Sequence, residues 1–127
     1  MNLLIPYIHL YNHPDPLLDE YTYGDAGLRG MKLKRLKKGD YLFFHTSTRG
    51  KKYITAYYVV DRIIDTANAV KDLNIMNKFK NPHLKEYLDP KYKKAENDCI
   101  VFGDPILSRK LDKPLLFNKS RLFNTCN

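Results

Sequence analysis

Two β-favouring runs joined by a short polar stretch constrain this chain most. Tyr41-Leu42-Phe43-Phe44-His45-Thr46 is dense in aromatic and apolar residues, and Tyr53 to Ile63 answers it with Ile54, Tyr57, Tyr58, Val59, Val60 and Ile63. Ser47 to Lys52 between them is polar and contains Gly50, so the pattern predicts an antiparallel hairpin, opened by a turn at Lys38-Gly39-Asp40. Strands of that length need further partners. Leu3 to Tyr11 reads as a third strand, held to an edge or a bulge because Pro6 has no N–H to donate. Cys99 to Phe102 reads as a short buried strand closed by Gly103-Asp104-Pro105.

The segments between are less regular. Asn12-His13-Pro14-Asp15-Pro16 breaks the first strand, and the stretch from Asn12 to Gly30 reads as a long connection with a helical turn near Leu17 to Glu20. Met31 to Leu36 fits a helix or a strand equally. Thr66 to Met76 reads as helical, with Ala67, Val70, Leu73 and Ile75 on its buried face, and Leu84 to Leu88 as a further short helix after the break at Asn81-Pro82-His83. Asp89 to Asp98 is charged and expected to be exposed. Ile106 to Leu111 and Lys113 to Phe117 read as separate pieces broken by Pro114, and the tail from Asn118 carries little pattern. With 127 residues and no linker or repeat, one domain over 1–127 is expected. Its class is α+β, with a strongly curved mixed sheet or small β-barrel and peripheral helices.

Composition narrows the function classes. No apolar run reaches the roughly 18 residues of a spanning helix. Met1 to Pro6 lacks a basic n-region and a small-residue cleavage site, and Cys99 and Cys126 make neither a disulfide framework nor a zinc site. A cytoplasmic protein without a membrane partner is the expectation. His9, His13, His45 and His83 lack metal-ligand spacing, and no phosphate loop, dinucleotide fingerprint or nucleophile elbow is present, so no metal or cofactor is expected.

The charge is the strongest functional signal. Lys+Arg number 22 against 14 Asp+Glu, a net charge of +8. No acid interrupts Arg29, Lys32, Lys34, Arg35, Lys37 and Lys38, and Arg49, Lys51 and Lys52 form a second group at the hairpin tip. If the two share a face, they would capture phosphates, and binding would weaken steeply with salt. The plain alternative is a solvated charged face. Of the ten tyrosines, Tyr21 and Tyr23 are the better candidates for stacking on a base because they fall in the long connection, although core or sheet surface is the ordinary fate of any tyrosine. Asp25 and Asp104 sit in Gly-Asp turns and could accept hydrogen bonds from a base edge. Ser108 and Arg109 supply a hydroxyl and a guanidinium suited to phosphate or carbonyl groups.

Lys38-Gly39-Asp40 leading into Tyr41 to His45, with a return through Ala56 in Ile54 to Val60, resembles the core hairpin of the PUA-like superfamily in its EVE, ASCH and YTH branches. Tyr21-Thr22-Tyr23-Gly24-Asp25 and Val101-Phe102-Gly103-Asp104 with Ser108-Arg109 are similar to a prokaryotic EVE-like group. The resemblance implies a curved barrel-like sheet and a pocket that takes a flipped, modified base among aromatic side chains. This chain has no Trp, a frequent wall of that cage.

The first expectation is therefore a non-catalytic module binding DNA or RNA, modified or single-stranded. Phosphates would meet Lys32, Lys34, Arg35, Lys37, Lys38, Arg49, Lys51 and Lys52. A base would sit near Tyr21, Tyr23 and Phe44, with Asp25 and His45 at its edge and Asp104, Ser108 and Arg109 nearby. A second expectation is a small ASCH-like enzyme acting on a nucleotide, nucleoside or amide through Asp25, His45, Asp104, Ser108 and Arg109. A third is a protein-interaction domain of a mobile element, pairing through Leu115-Leu116-Phe117 with Leu122 and Phe123.

Overall fold

The computed structural model describes residues 1–7 and 15–117. The chain is α+β, built on a six-stranded mixed sheet. Its strands are β1 (Asn2–Pro6), β2 (Thr22–Asp25), β3 (Tyr41–Thr48), β4 (Lys51–Asp65), β5 (Cys99–Gly103) and β6 (Arg109–Leu116). The helices are α1 (Gly27–Leu33), α2 (Thr66–Ala69), α3 (Leu73–Lys78) and α4 (Pro82–Leu88). The strand order is β1-β3-β4-β5-β2, with β6 also paired to β4, and among the described strands only the β1–β3 pair is parallel.

The predicted hairpin is the spine. It is longer than its sequence suggests, because only Arg49 and Gly50 form the turn. Both have positive φ (51° and 76°), as a tight two-residue hairpin turn demands. The long β4 serves three partners in turn: β3 along one edge, β6 and then β5 along the other. The register slips by one residue at Thr55 against β3 and at Asp61 against β5, and against β6 it jumps between Ile54 and Ala56, where β6 residues 111 to 114 intervene. Bulges of this kind bend and twist a strand. The Thr55 hydroxyl donates to the Phe44 carbonyl at 3.3 Å, keeping that group satisfied where the ladder breaks.

The bending brings the two ends of the strand path together. Ile5 of β1 and Tyr23 of β2 belong to one buried cluster with Leu33, Leu36, Leu42, Phe44, Ala56, Tyr58, Val60, Cys99 and Val101. A second cluster, Ala69, Ile75, Leu84, Ile100 and Phe102, seals the other side of β5 beneath α2, α3 and α4. Alternation along β5 explains the split, since Val101 faces one core and Ile100 and Phe102 the other. Burial pushes the Cys99 thiol up to about 12, so it behaves as a small hydrophobe.

Several expectations need correction. The long connection holds a strand and a helix: Tyr23 lies in β2, and Gly27 to Leu33 is helical. The helix expected over Thr66 to Met76 is two, because the Asp72 carboxylate accepts from the Asn74 and Ile75 amides and starts a new one, leaving Leu73 76% exposed. Asp98 is buried. β6 runs across Pro114, but its ladder to β4 is interrupted there: Arg109 and Lys110 pair at one end, Leu115 and Leu116 at the other, and Pro114 falls in the unpaired stretch between, where a missing N–H is tolerated. The first strand is described to Pro6. The Tyr7 amide still donates to the His45 carbonyl at 2.7 Å, while the rest of that expected strand, residues 8 to 11 with His9, lies outside the described residues, as do His13, Leu122, Phe123 and Cys126.

Gly30 in α1 offers a test of this packing. Alanine at a helical glycine ordinarily stabilises by about 1 kcal/mol. Here a Cβ would lie 2.1 Å from the Asn97 carbonyl oxygen, a backbone atom that cannot swing aside. Gly30→Ala is therefore expected to lower stability by about 1–3 kcal/mol, read as a shifted urea midpoint. A rise would show that α1 is not seated on the residues before β5.

Candidate nucleic-acid interface

Leu42, Phe44, Ala56 and Tyr58 point into the first core, so Tyr41, Phe43, Tyr57 and Val59 point to the opposite, outer face of the hairpin, where Phe43 and Val59 are themselves buried. Phe43 stands directly opposite Tyr57, and Tyr41 opposite Val59. Three rings meet on this outer face. Tyr41 stacks on Phe43 with centroids 5.7 Å apart and planes 16° apart, and Tyr57 lies 5.8 Å from Tyr41 and 6.3 Å from Phe43. Phe43 is buried, while Tyr41 and Tyr57 are half-buried. Leu4 of β1 pairs with Phe43 on one flank, and Arg109 of β6 with Tyr57 on the other.

The expected phosphate contacts lie at opposite ends of this face. Lys37 and Lys38 precede β3, whereas Arg49, Lys51 and Lys52 surround the hairpin tip, roughly 25 Å away at the usual rise per strand residue. Lys34 pairs with Asp65 at 2.9 Å and Lys38 with Asp61 at 3.5 Å. Such exposed pairs are worth about 0–1 kcal/mol, so a phosphate could displace either carboxylate. Arg35, Lys37, Arg49, Lys51 and Lys52 are exposed. Lys32 lies away from them, in a cleft with Asp25.

The residues expected around a base are dispersed. Tyr23 and Phe44 are interior, 4% and 0% exposed, with rings packed edge to face at 5.5 Å, so neither presents a free face. Tyr21, with φ of 57°, packs edge-on against Tyr58 and lines a cleft of about 240 Å³ with Glu20, Arg62, Lys78 and Phe79. Asp25 lines a different cleft. Asp104, Ser108 and Arg109 build the connection from β5 to β6. Asp104 accepts from the Ile106 and Leu107 amides, the buried Ser108 hydroxyl accepts from the Val59 amide at 3.0 Å, and the Arg109 guanidinium folds back onto the Ile106 and Ser108 carbonyls. Ser108 thus fills the gap along β4 where β5 ends and β6 begins.

His45 is buried, and its Nδ1 has no hydrogen-bond partner among the described residues. Burial first, and the nearby Lys52 charge second, lower its pKa from 6.5. Well above pH 6.5 the ring is neutral in both folded and unfolded chains. Below it the unfolded chain takes up the proton more readily, so stability falls as pH drops from 6.5 through the folded value. Urea midpoints between about pH 7 and pH 5 should fall less in His45→Gln than in the parent. Equal slopes would show that the ring is not excluded from water.

The second cleft, of about 330 Å³, opens between the edge strand β1 and α1. Leu3, Leu4, Ile5 and Leu28 form its apolar side; Asp25, Arg29 and Lys32 form its charged side. The Asp25 carboxylate accepts from the Tyr23 hydroxyl at 2.5 Å and from the Ala26 amide at 2.8 Å, and Arg29 reaches it at 3.5 Å. Burial and the carboxylate raise the Tyr23 pKa, keeping its proton in place. Burial works against the Arg29 charge, but the Tyr23 hydroxyl and Asp25 outweigh it and raise the guanidinium pKa.

Sequence reasoning passed over a buried polar network behind β2. His83 Nε2 lies 2.6 Å from Asp98 Oδ1, which also accepts from the Thr66 hydroxyl at 2.7 Å, while Asp98 Oδ2 accepts from Tyr92 at 2.7 Å. A carboxylate only accepts, so Nε2 carries the proton. Nearby, the Asn81 amide donates to Asp15 and Thr22, and Glu20 accepts from the Lys80 and Asn81 amides. A Cβ on Gly24 would strike the His83 ring at 2.4 Å, which accounts for a glycine inside β2. The buried groups satisfy one another, as a structural network does. Among the described residues no three His, Cys, Asp or Glu side chains gather to hold a metal ion, and no helix is long and apolar enough to cross a membrane.

The chain matches no protein-family model, no curated protein and no solved structure.

Proposed function

We propose that this chain is a nucleic-acid-binding module on a PUA-like curved sheet, and that a single-stranded segment of DNA or RNA lies along the outer face of the hairpin. The observation that carries the reading is the Tyr41–Phe43–Tyr57 ring cluster, set between cationic groups at both ends of β3. Aromatic faces stack on bases without regard to sequence, and flanking cations hold the backbone. The two half-buried tyrosines offer ring surface, while the interior Tyr23 and Phe44 do not. The net charge of +8 adds long-range attraction for a polyanion.

The test is fluorescence anisotropy with short DNA and RNA strands, at several salt concentrations. Binding with a negative slope of log affinity against log salt is expected. Absence of binding to either polymer, or a flat slope, would overturn the reading.

A further inference from the structure

We propose that the cleft between β1 and α1 is a second site, which binds a small phosphate monoester of mononucleotide size. Arg29 and Lys32 are three residues apart on α1 and therefore share a helix face, the one that lines the cleft. They outnumber the single carboxylate there. Asp25 is engaged on both oxygens, by Tyr23 and by the Ala26 amide, and its loose 3.5 Å contact orients Arg29 without covering it. The Arg29 side chain remains 45% exposed, with N–H groups left to donate.

The tetrahedral oxygens of a phosphate monoester can accept from the Arg29 fork and the Lys32 ammonium together, and its charge of about −1.5 to −2 at pH 7 suits two cations. Across the cleft β1 contributes Leu3, Leu4 and the buried Ile5, and Leu28 of α1, 77% exposed, adds an aliphatic rim beside Arg29. Inorganic phosphate would leave the exposed Leu4 and Leu28 side chains in water; an attached nucleoside would cover them. The volume of about 330 Å³ falls in the range of small-molecule sites. Such a group exists on a free mononucleotide and at the 5′ end of a strand.

Calorimetric titrations with AMP, UMP, adenosine and inorganic phosphate test the site. The expected result is binding of the monophosphates, with adenosine and inorganic phosphate at least tenfold weaker. Arg29→Ala and Lys32→Ala should each weaken AMP by about ten- to hundredfold, the worth of a charge-assisted hydrogen bond. Both side chains are exposed, and circular dichroism would verify that the variants fold. A 5′-phosphorylated oligonucleotide bound more tightly than its 5′-hydroxyl twin, with the preference lost in Arg29→Ala, would identify a strand end as the source. Equal strands with AMP bound would identify the free nucleotide. Failure of AMP and UMP to bind, adenosine or phosphate matching them, or AMP unaffected by Arg29→Ala would overturn the proposal. The sheet-face reading is judged separately: AMP bound without any oligonucleotide retains this site, and the reverse removes it.

Discussion

Replacing Asp98 with alanine will destabilise the fold by about 3–5 kcal/mol, a large part of the 5–15 kcal/mol that typical domains possess. The Asp98 side chain is 6% exposed and takes hydrogen bonds from Thr66, His83 and Tyr92. Without it three donors from three segments lose their acceptor, each at a cost of about 1–3 kcal/mol where water cannot enter. The expected sum is smaller than three independent losses because Tyr92 is only half-buried and can turn to solvent. Asp98→Asn keeps the shape and one acceptor oxygen, so it should fall between alanine and the parent. Urea unfolding followed by circular dichroism gives both values. A loss below about 1 kcal/mol in the alanine variant would mean that the network does not tie α4 and α2 to the sheet.

The second large effect concerns binding. Tyr57→Ala and Tyr41→Ala should each weaken a single-stranded oligonucleotide by about ten- to hundredfold, since a stacked base is worth about 1–3 kcal/mol. The rings touch at 5.8 Å, so the double variant should lose less than the product of the two. Neither substitution removes a charge, so the salt slope should stay as it is. Lys37→Ala and Lys52→Ala should do the reverse, lowering affinity modestly for every sequence and reducing the slope by about one each. If the tyrosine variants bind like the parent while the lysine variants weaken, the contact is electrostatic only and the sheet face is not a stacking platform.

The contrast between these sites shows what the sequence makes legible. The hairpin is written in its β-branched and aromatic residues, but the polar stretch Ser47 to Lys52 reads as a longer loop than the two-residue Arg49-Gly50 turn that forms. The hairpin's register is not legible. Counting back from the two-residue turn would set Phe43 opposite Ala56 and Tyr57 opposite Leu42. The bulge at Thr55 shifts the pairing by one and moves Tyr57 onto the face of Phe43. No local signal marks that bulge, so the sequence favours Tyr21 and Tyr23 for stacking over the hairpin tyrosines Tyr41 and Tyr57 that form the ring cluster. Thr22-Tyr23-Gly24-Asp25 reads as a loop because glycine and aspartate disfavour strands. It pairs because β5 offers a buried edge and His83 leaves room only for glycine. Asp98 and His83 are 15 residues apart, and their partnership comes from α4 folding back over the sheet. Charge runs were legible as runs, but only the fold divides them, sending Arg29 and Lys32 to the cleft and Arg49 to Lys52 to the far end of β3.

The central claim, that the outer face of the β3–β4 hairpin receives a nucleic-acid strand, is tested most directly by amide and aromatic NMR spectra recorded during addition of a short oligonucleotide. Shifts centred on Tyr41, Phe43, Tyr57 and Arg109, spreading to Lys37 at one end and to Lys51 and Lys52 at the other, are the expected pattern. Shifts gathered on another surface, with the three outer rings unmoved at saturation, would contradict it.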